Sequence, residues 1–251
     1  MIRTTDPTKI DFKSLFDLTN KVIVITGHNG LIGKAFVEAC EQFGANVIGF
    51  DLPDNDVTDK NNIEKFTNDV IDKYGHIDGL VNCHWSKPQG FFDIFENYDS
   101  DVWDDVMDCN LKGTFLMCKI IGTHMKETGG SIINIASTYS VVAPNHSIYD
   151  GLSQPLKTPA SYSASKGGIM ALSNYLSTYW AKDNIRVNMI TPHGVWNNHE
   201  TTFEDNFSHL SPMGRLSYNY EVAGALLYLL SNASSYVTGH NLVVDGGWTA
   251  W

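Results

Sequence analysis

A chain of 251 residues, 43% of them apolar, is long enough to bury a large core as one α/β domain. Its formal net charge of −11 disfavours nucleic acid and anionic membrane surfaces as partners. No apolar run is long enough to span a bilayer, and residues 1–12 are polar, which reads as a loose N-terminal arm rather than a signal peptide; the expected location is cytoplasmic.

The first predicted strand is Lys21–Thr26, whose Val22-Ile23-Val24-Ile25 run suits a buried parallel strand. It leads into Thr26-Gly27-His28-Asn29-Gly30-Leu31-Ile32-Gly33, and Leu31 to Phe43 then shows helical apolar periodicity. Strand, glycine turn and helix together form the setting for a phosphate cradle, because glycines admit a pyrophosphate and the helix start offers free N–H groups. Gly27, Asn29, Leu31, Ile32 and Gly33 are therefore candidate cofactor residues. A second strand, Ala45–Phe50, ends at Asp51, about twenty residues after the loop, where a carboxylate can bond an adenosine ribose. That charge would repel a 2′-phosphate, and no arginine follows to offset it, so NAD is favoured over NADP.

Further strands are predicted at Gly79–Val81, Ser131–Ala136, Arg186–Ile190 and Asn241–Val244, separated by helical stretches. The alternation predicts a parallel sheet. No repeat or linker divides the chain, so residues 1–251 are expected to form a single domain. Only four residues, Leu52 to Asn55, separate Asp51 from Asp56, too few for a crossover helix, which predicts a stripped-down sheet edge. Cys40, Cys83, Cys109 and Cys118 have neither CxxC nor zinc-finger spacing and read as reduced thiols. The nine histidines form no HExxH pattern, so no metal site is expected and a metal-dependent hydrolase is the weaker rival.

Tyr162-Ser-Ala-Ser-Lys166 places a phenol and an ammonium four apart on a presumed helix, hence on one face. A cation there would pull the phenol's pKa down toward the range of a proton shuttle. Alone, the pair is also a common surface pattern.

The glycine loop and the Tyr162/Lys166 pair recur with Asp78-Gly79-Leu80-Val81-Asn82, Asn110-Leu111-Lys112-Gly113, Ser131 to Ser137 and Asn184 to Asn188. Pro212-Met213-Gly214-Arg215, Tyr236 to His240 and Val244-Asp245-Gly246-Gly247 follow. In this order and over nearly the whole length, the chain resembles the short-chain dehydrogenase/reductases. The resemblance implies a Rossmann-type doubly wound sheet and hydride transfer between NAD(H) and a CH–OH/carbonyl substrate. It assigns Tyr162 as general acid or base, Lys166 as its electrostatic partner and ribose contact, Ser137 as holder of the substrate oxygen, and Asn110 as the amide in a helix kink that positions a water. It further places Asp56, Val57, Asn82, Cys83, Pro192, Gly194 and Val195 beside the cofactor, and implies a homotetramer or homodimer that uses the helix of the Tyr162/Lys166 pair and the C-terminal strand region, with Tyr175, Tyr179, Trp180, Trp248 and Trp251 either on those surfaces or in the core. A catalytically silent NAD-binding sensor is the alternative, but it need not keep Asn110, Ser137, Tyr162 and Lys166 together.

Departures from the family pattern nominate substrate contacts. His84 and Trp85 replace small residues after Asn82-Cys83, and would either face the nicotinamide end or plug the core. His193 stands where a glycine normally meets the carboxamide. Ser137 and Tyr162 are 25 positions apart, roughly twice the usual separation, so the inserted loop is expected to overhang the pocket and bring Asn145, His146, Tyr149 and Asp150 to the substrate. A long irregular stretch from Trp196 to Met213 is expected as a second lid. The insertion also resembles that of bacterial reductases of surface-sugar pathways, which implies a sugar phosphate, an activated sugar or a related polyol as substrate; a non-sugar alcohol or ketone is the alternative.

Overall fold

A computed structural model describes residues 10–153 and 156–251, so the expected N-terminal arm lies outside the described residues as far as position 9. Six parallel strands form one sheet in the order β2-β1-β3-β4-β5-β6. They are β1 (Val22–Thr26), β2 (Asn46–Phe50), β3 (Gly79–Asn82), β4 (Gly130–Ile135), β5 (Ile185–Pro192) and β6 (Asn241–Val244). The chain starts near the middle, steps outward to β2, then returns past β1 and winds the other way, which makes the fold doubly wound.

Both faces of the sheet are covered, and strand pleating sorts the side chains between them. Val22 and Val24 enter one core while Ile23 and Ile25 enter the other. The first core is closed by α2 (Lys60–Tyr74), α4 (Thr114–Met125) and α5 (Ala160–Tyr179), the second by α1 (Leu31–Gln42) and α7 (Asn219–Leu230). Local chemistry sets the helix ends. The Asp59 carboxylate accepts from the N–H groups of Asn61 and Asn62 to start α2, and Gly75, at φ 81°, stops it in a left-handed conformation that favours glycine.

The stripped-down edge is present: β2 is the outermost strand, and no helix intervenes between Asp51 and Asp59. The kink expected at Asn110 is a π-helical segment, Asp108–Gly113, between α3 (Ser100–Met107) and α4. One expectation is corrected. The stretch Trp196–Met213 is not wholly irregular, because α6 (Thr201–Ser208) lies within it, with Phe203 and Phe207 at i and i+4 on one face. Among the aromatics considered for assembly, Trp180 and Trp248 are buried, while Tyr175, Tyr179 and Trp251 are exposed. No helix among the described residues is long and apolar enough to cross a membrane.

Candidate active site

The carboxyl ends of the strands open into a cleft of about 1500 Å³, part of it open solvent. At one end the chain leaves β1 through Gly27, whose φ of +63° and whose closeness to the Cys83 carbonyl exclude a side chain. A Cβ on Gly33 would collide with the Gly27 carbonyl, so the turn folds tightly onto the start of α1. No side chain caps α1, which leaves the amides of its first turn available to an anion. Leu31 and Ile32 line the cleft beside them, as does Asp51, whose carboxylate accepts from the N–H of Asn29 and of Leu52 at 3.0 Å each. A glycine cradle, an uncapped helix start and a carboxylate on the neighbouring strand fit a dinucleotide.

At the other end β4 delivers Ser137 and α5 delivers Tyr162 and Lys166, all lining the same cleft. Lys166 is 4% exposed; its Nζ donates to the Ile135 carbonyl at 2.7 Å and stands 5.7 Å from the centroid of the Tyr162 ring. Burial pulls the Lys166 pKa down to about 8. The expectation that Lys166 would lower the Tyr162 pKa is not met in the protein alone. Burial pushes the phenol above its ordinary value, and the hydroxyl of Ser137 opposes this only in part. The reason is desolvation: a phenolate here would lose its water.

Asn110 is fully buried with its amide engaged on both sides. Its Oδ1 accepts from the Ser86 N–H at 2.9 Å and its Nδ2 donates to Ser165 Oγ at 3.1 Å. It thereby braces the segment after β3 against the helix that carries Tyr162 and Lys166.

Of the other cofactor candidates, Cys83, Pro192, Gly194 and Val195 line the cleft, whereas Asn29, Asp56, Val57 and Asn82 do not. Asp56 turns to hold Thr58, Val57 is buried in the core, and Asn82 donates to Asn134 Oδ1 at 2.7 Å.

The substrate candidates divide similarly. Trp85 sits in the cleft, half exposed, with its ring edge-on to Tyr162 at 6.1 Å, and His193 also lines the cleft. His84 touches the cleft but is a plug: its Nδ1 lies 2.6 Å from Thr26 Oγ1 and its Nε2 3.4 Å from Thr114 Oγ1. Burial holds its pKa at about 3, so it stays neutral.

Of the described residues between Ser137 and Tyr162, Thr138 and Tyr139 line the cleft. Asn145, His146, Tyr149 and Asp150 are not among its lining residues, and neither is Trp196. Ile148 instead forms a small apolar cluster with Phe207 and Leu216, against which Tyr149 and Phe203 pack. Asn206 of α6 donates to the carbonyls of Ile148 and Asp150 at 3.1 and 3.0 Å. Burying Ile148 and Tyr149 against phenylalanines gains more than leaving them beside a wet cleft. His146 lines a separate cavity with Ile94 and Phe95.

Asn197, His199, Phe203 and Phe207 line the cleft from within the expected second lid, whereas Tyr139 escaped the sequence reading. The paired phenylalanines at helical spacing were a signal for α6. Nothing local marks Tyr139, which meets Tyr162 edge-on at 6.5 Å and Trp248 at 5.7 Å.

A doubly wound sheet whose strand ends hold both a dinucleotide cradle and a buried tyrosine–lysine pair is the architecture of nicotinamide-dependent oxidoreductases. Residues 22–249 match the family model described as enoyl-(acyl carrier protein) reductase. The chain belongs to the short-chain dehydrogenase/reductase family. It is 35% identical to an NAD-dependent glycerol dehydrogenase of Listeria innocua, over 95% of this chain and 97% of that protein. With a D-threitol dehydrogenase of Mycolicibacterium smegmatis it shares 31% identity over 96% of both chains. Among solved structures, a short-chain dehydrogenase from Leptospira borgpetersenii with bound NAD+ superposes with a TM-score of 0.87 at 30% identity, covering 96% of this chain and 97% of the other.

Proposed function

We propose that this protein interconverts a small uncharged polyol and its keto form, using NAD(H). The observation that carries this is the charge of the cleft: among its described lining residues Lys166 is the sole lysine or arginine, and its ammonium already serves Ile135. A phosphorylated or carboxylated sugar would need a cation it does not find. Arg215, one of two cations considered for a phosphate, forms a two-pronged pair with Glu221 at 2.7 Å per contact, and Lys157 lies in the separate cavity. The half-exposed ring of Trp85 offers an apolar face to the carbon side of a polyol, and the glycerol and threitol dehydrogenases among the relatives point the same way. Asp51 supports NAD, because a carboxylate lining the cleft at the end of β2 would repel a 2′-phosphate.

Bound nicotinamide would supply the hydride in reduction and accept it in oxidation. The residues handle the proton. Burial keeps the Tyr162 phenol protonated at neutral pH, ready to donate to a carbonyl oxygen that the Ser137 hydroxyl holds. In oxidation the residue must first be a phenolate, whose charge the Lys166 ammonium beside it stabilises; it then takes the alcohol proton and becomes the neutral phenol. Asn110 keeps α5 in place.

The test is reduction of NAD+ by glycerol, threitol and other polyols, repeated with Tyr162→Phe. Turnover should fall by about 10² to 10⁴ while NAD binding persists. Unchanged turnover would remove Tyr162 from the mechanism, and a preference for sugar phosphates would reinstate the surface-sugar reading. We read the location as cytoplasmic, since the four cysteines are free thiols. We read the exposed faces of α4 and α5, bearing Phe115, Tyr175 and Tyr179, as the assembly surface of a dimer or tetramer.

A further inference from the structure

His193 follows β5, where its N–H donates to the Val244 carbonyl at 3.0 Å. Its ring is 5% exposed, stacks on Phe207 of α6 at 4.6 Å and 19°, and leans on Trp248 at 4.8 Å. Both ring nitrogens are buried, and neither makes a well-formed hydrogen bond among the described residues, although the Phe207 carbonyl lies close to the ring. His84, the other buried histidine of the cleft, has a threonine hydroxyl within reach of each nitrogen. A phenylalanine at position 193 could stack equally well without burying unpaired polar atoms, so packing alone does not account for an imidazole.

The ring is uncharged, since burial lowers its pKa to about 4 and the Phe207 carbonyl and Asp245 offset that only partly. A neutral imidazole carries one donor and one acceptor, the complement of a hydroxyl, which is also both. A carboxylate or phosphate would find only half of that match. His193 forms a wall shared by the catalytic cleft and a neighbouring cavity of about 350 Å³ bounded by Arg215, Glu221 and Asp245. Its cover is Phe207, carried by an eight-residue helix tied to the insertion through Asn206.

Resting on the polyol reading above, we propose that His193 is a specificity-determining residue whose imidazole bonds a substrate hydroxyl remote from the reacting carbon. Phe207 gives way as the substrate enters, and the hydroxyl satisfies a nitrogen that the protein leaves unpaired. Alcohols lacking that hydroxyl gain nothing from the residue.

His193→Phe keeps the stacked ring and removes both nitrogens. Its kcat/KM should fall about tenfold on glycerol or a tetritol and stay within about threefold on a monohydric secondary alcohol of the same carbon count. NAD affinity should not change, and the melting temperature should hold or rise because two unpaired buried atoms are gone. His193→Gln, which retains a donor and an acceptor, should recover part of the discrimination. An equal loss on both alcohols, or no loss on either, would overturn the proposal. Wild-type protein that turns over neither alcohol would instead defeat the polyol reading, and this proposal with it.

Discussion

Lys166 gives its ammonium to the main-chain carbonyl of Ile135 at 2.7 Å, with Nζ 5.7 Å from the centroid of the Tyr162 ring. The lysine is thus anchored to the end of β4, the strand that leads directly into Ser137. One hydrogen bond fixes the distance between the strand and the helix that supply the three reacting-end side chains.

Burial of that ammonium has a stability signature. The Lys166 pKa is about 8 in the fold against 10.5 for an ordinary lysine, so between these values the unfolded chain binds more protons and stability rises with pH. The penalty of holding the charge is fully present below pH 8 and gone above 10.5. Thermal melts of wild type and Lys166→Met across this window should show wild type gaining on the variant as pH rises. A gap independent of pH would mean the ammonium is not desolvated as described. Turnover by the variant should fall at least about 10²-fold, as removal of a group that tunes an acid–base catalyst commonly does.

Cofactor choice should follow the carboxylate at the end of β2. Asp51→Ala with Leu52→Arg removes the negative charge and adds a guanidinium at an exposed neighbouring position. The ratio of kcat/KM for NADP over NAD should rise by about 10²-fold, since each tenfold step corresponds to about 1.4 kcal/mol and a charge-assisted bond contributes about 1.5–3 kcal/mol. Steady-state kinetics with both cofactors on one polyol measures it. An unchanged ratio would mean that Asp51 does not face the ribose.

Asn206 joins α6 to the insertion through two hydrogen bonds, to Ile148 and Asp150. Asn206→Ala should cost about 1–2 kcal/mol of local stability, at about 1 kcal/mol per bond. Hydrogen exchange at residues 146–150 and in α6 should speed up together, leaving the sheet protected. Acceleration in only one of the two segments would show that they do not open as a unit.

Much of this molecule was legible in its sequence. The β-branched run before Gly27 predicted β1, the spacing of loop and Asp51 predicted a dinucleotide site, and four residues between Asp51 and Asp56 predicted that no helix stands in that segment. These are local statements, decided by backbone geometry and by periods of two and 3.6 residues, so the order of the chain suffices to read them. The gathering of Ser137, Tyr162 and Lys166 into one cleft follows from the same topology.

What only the tertiary structure decided was which partner each side chain takes. His84 spends its nitrogens on Thr26 and Thr114, 58 and 30 residues away, and is a plug; His193 makes no well-formed hydrogen bond through either nitrogen among the described residues. Ile148 and Tyr149 pack against the phenylalanines of α6, which themselves line the cleft. The Tyr162 phenol is raised, not lowered, because desolvation outweighs the hydrogen bond that Ser137 offers it. Competition for burial and for hydrogen bonds among groups far apart in the chain settles such choices, and the local sequence around each residue carries no record of its competitors.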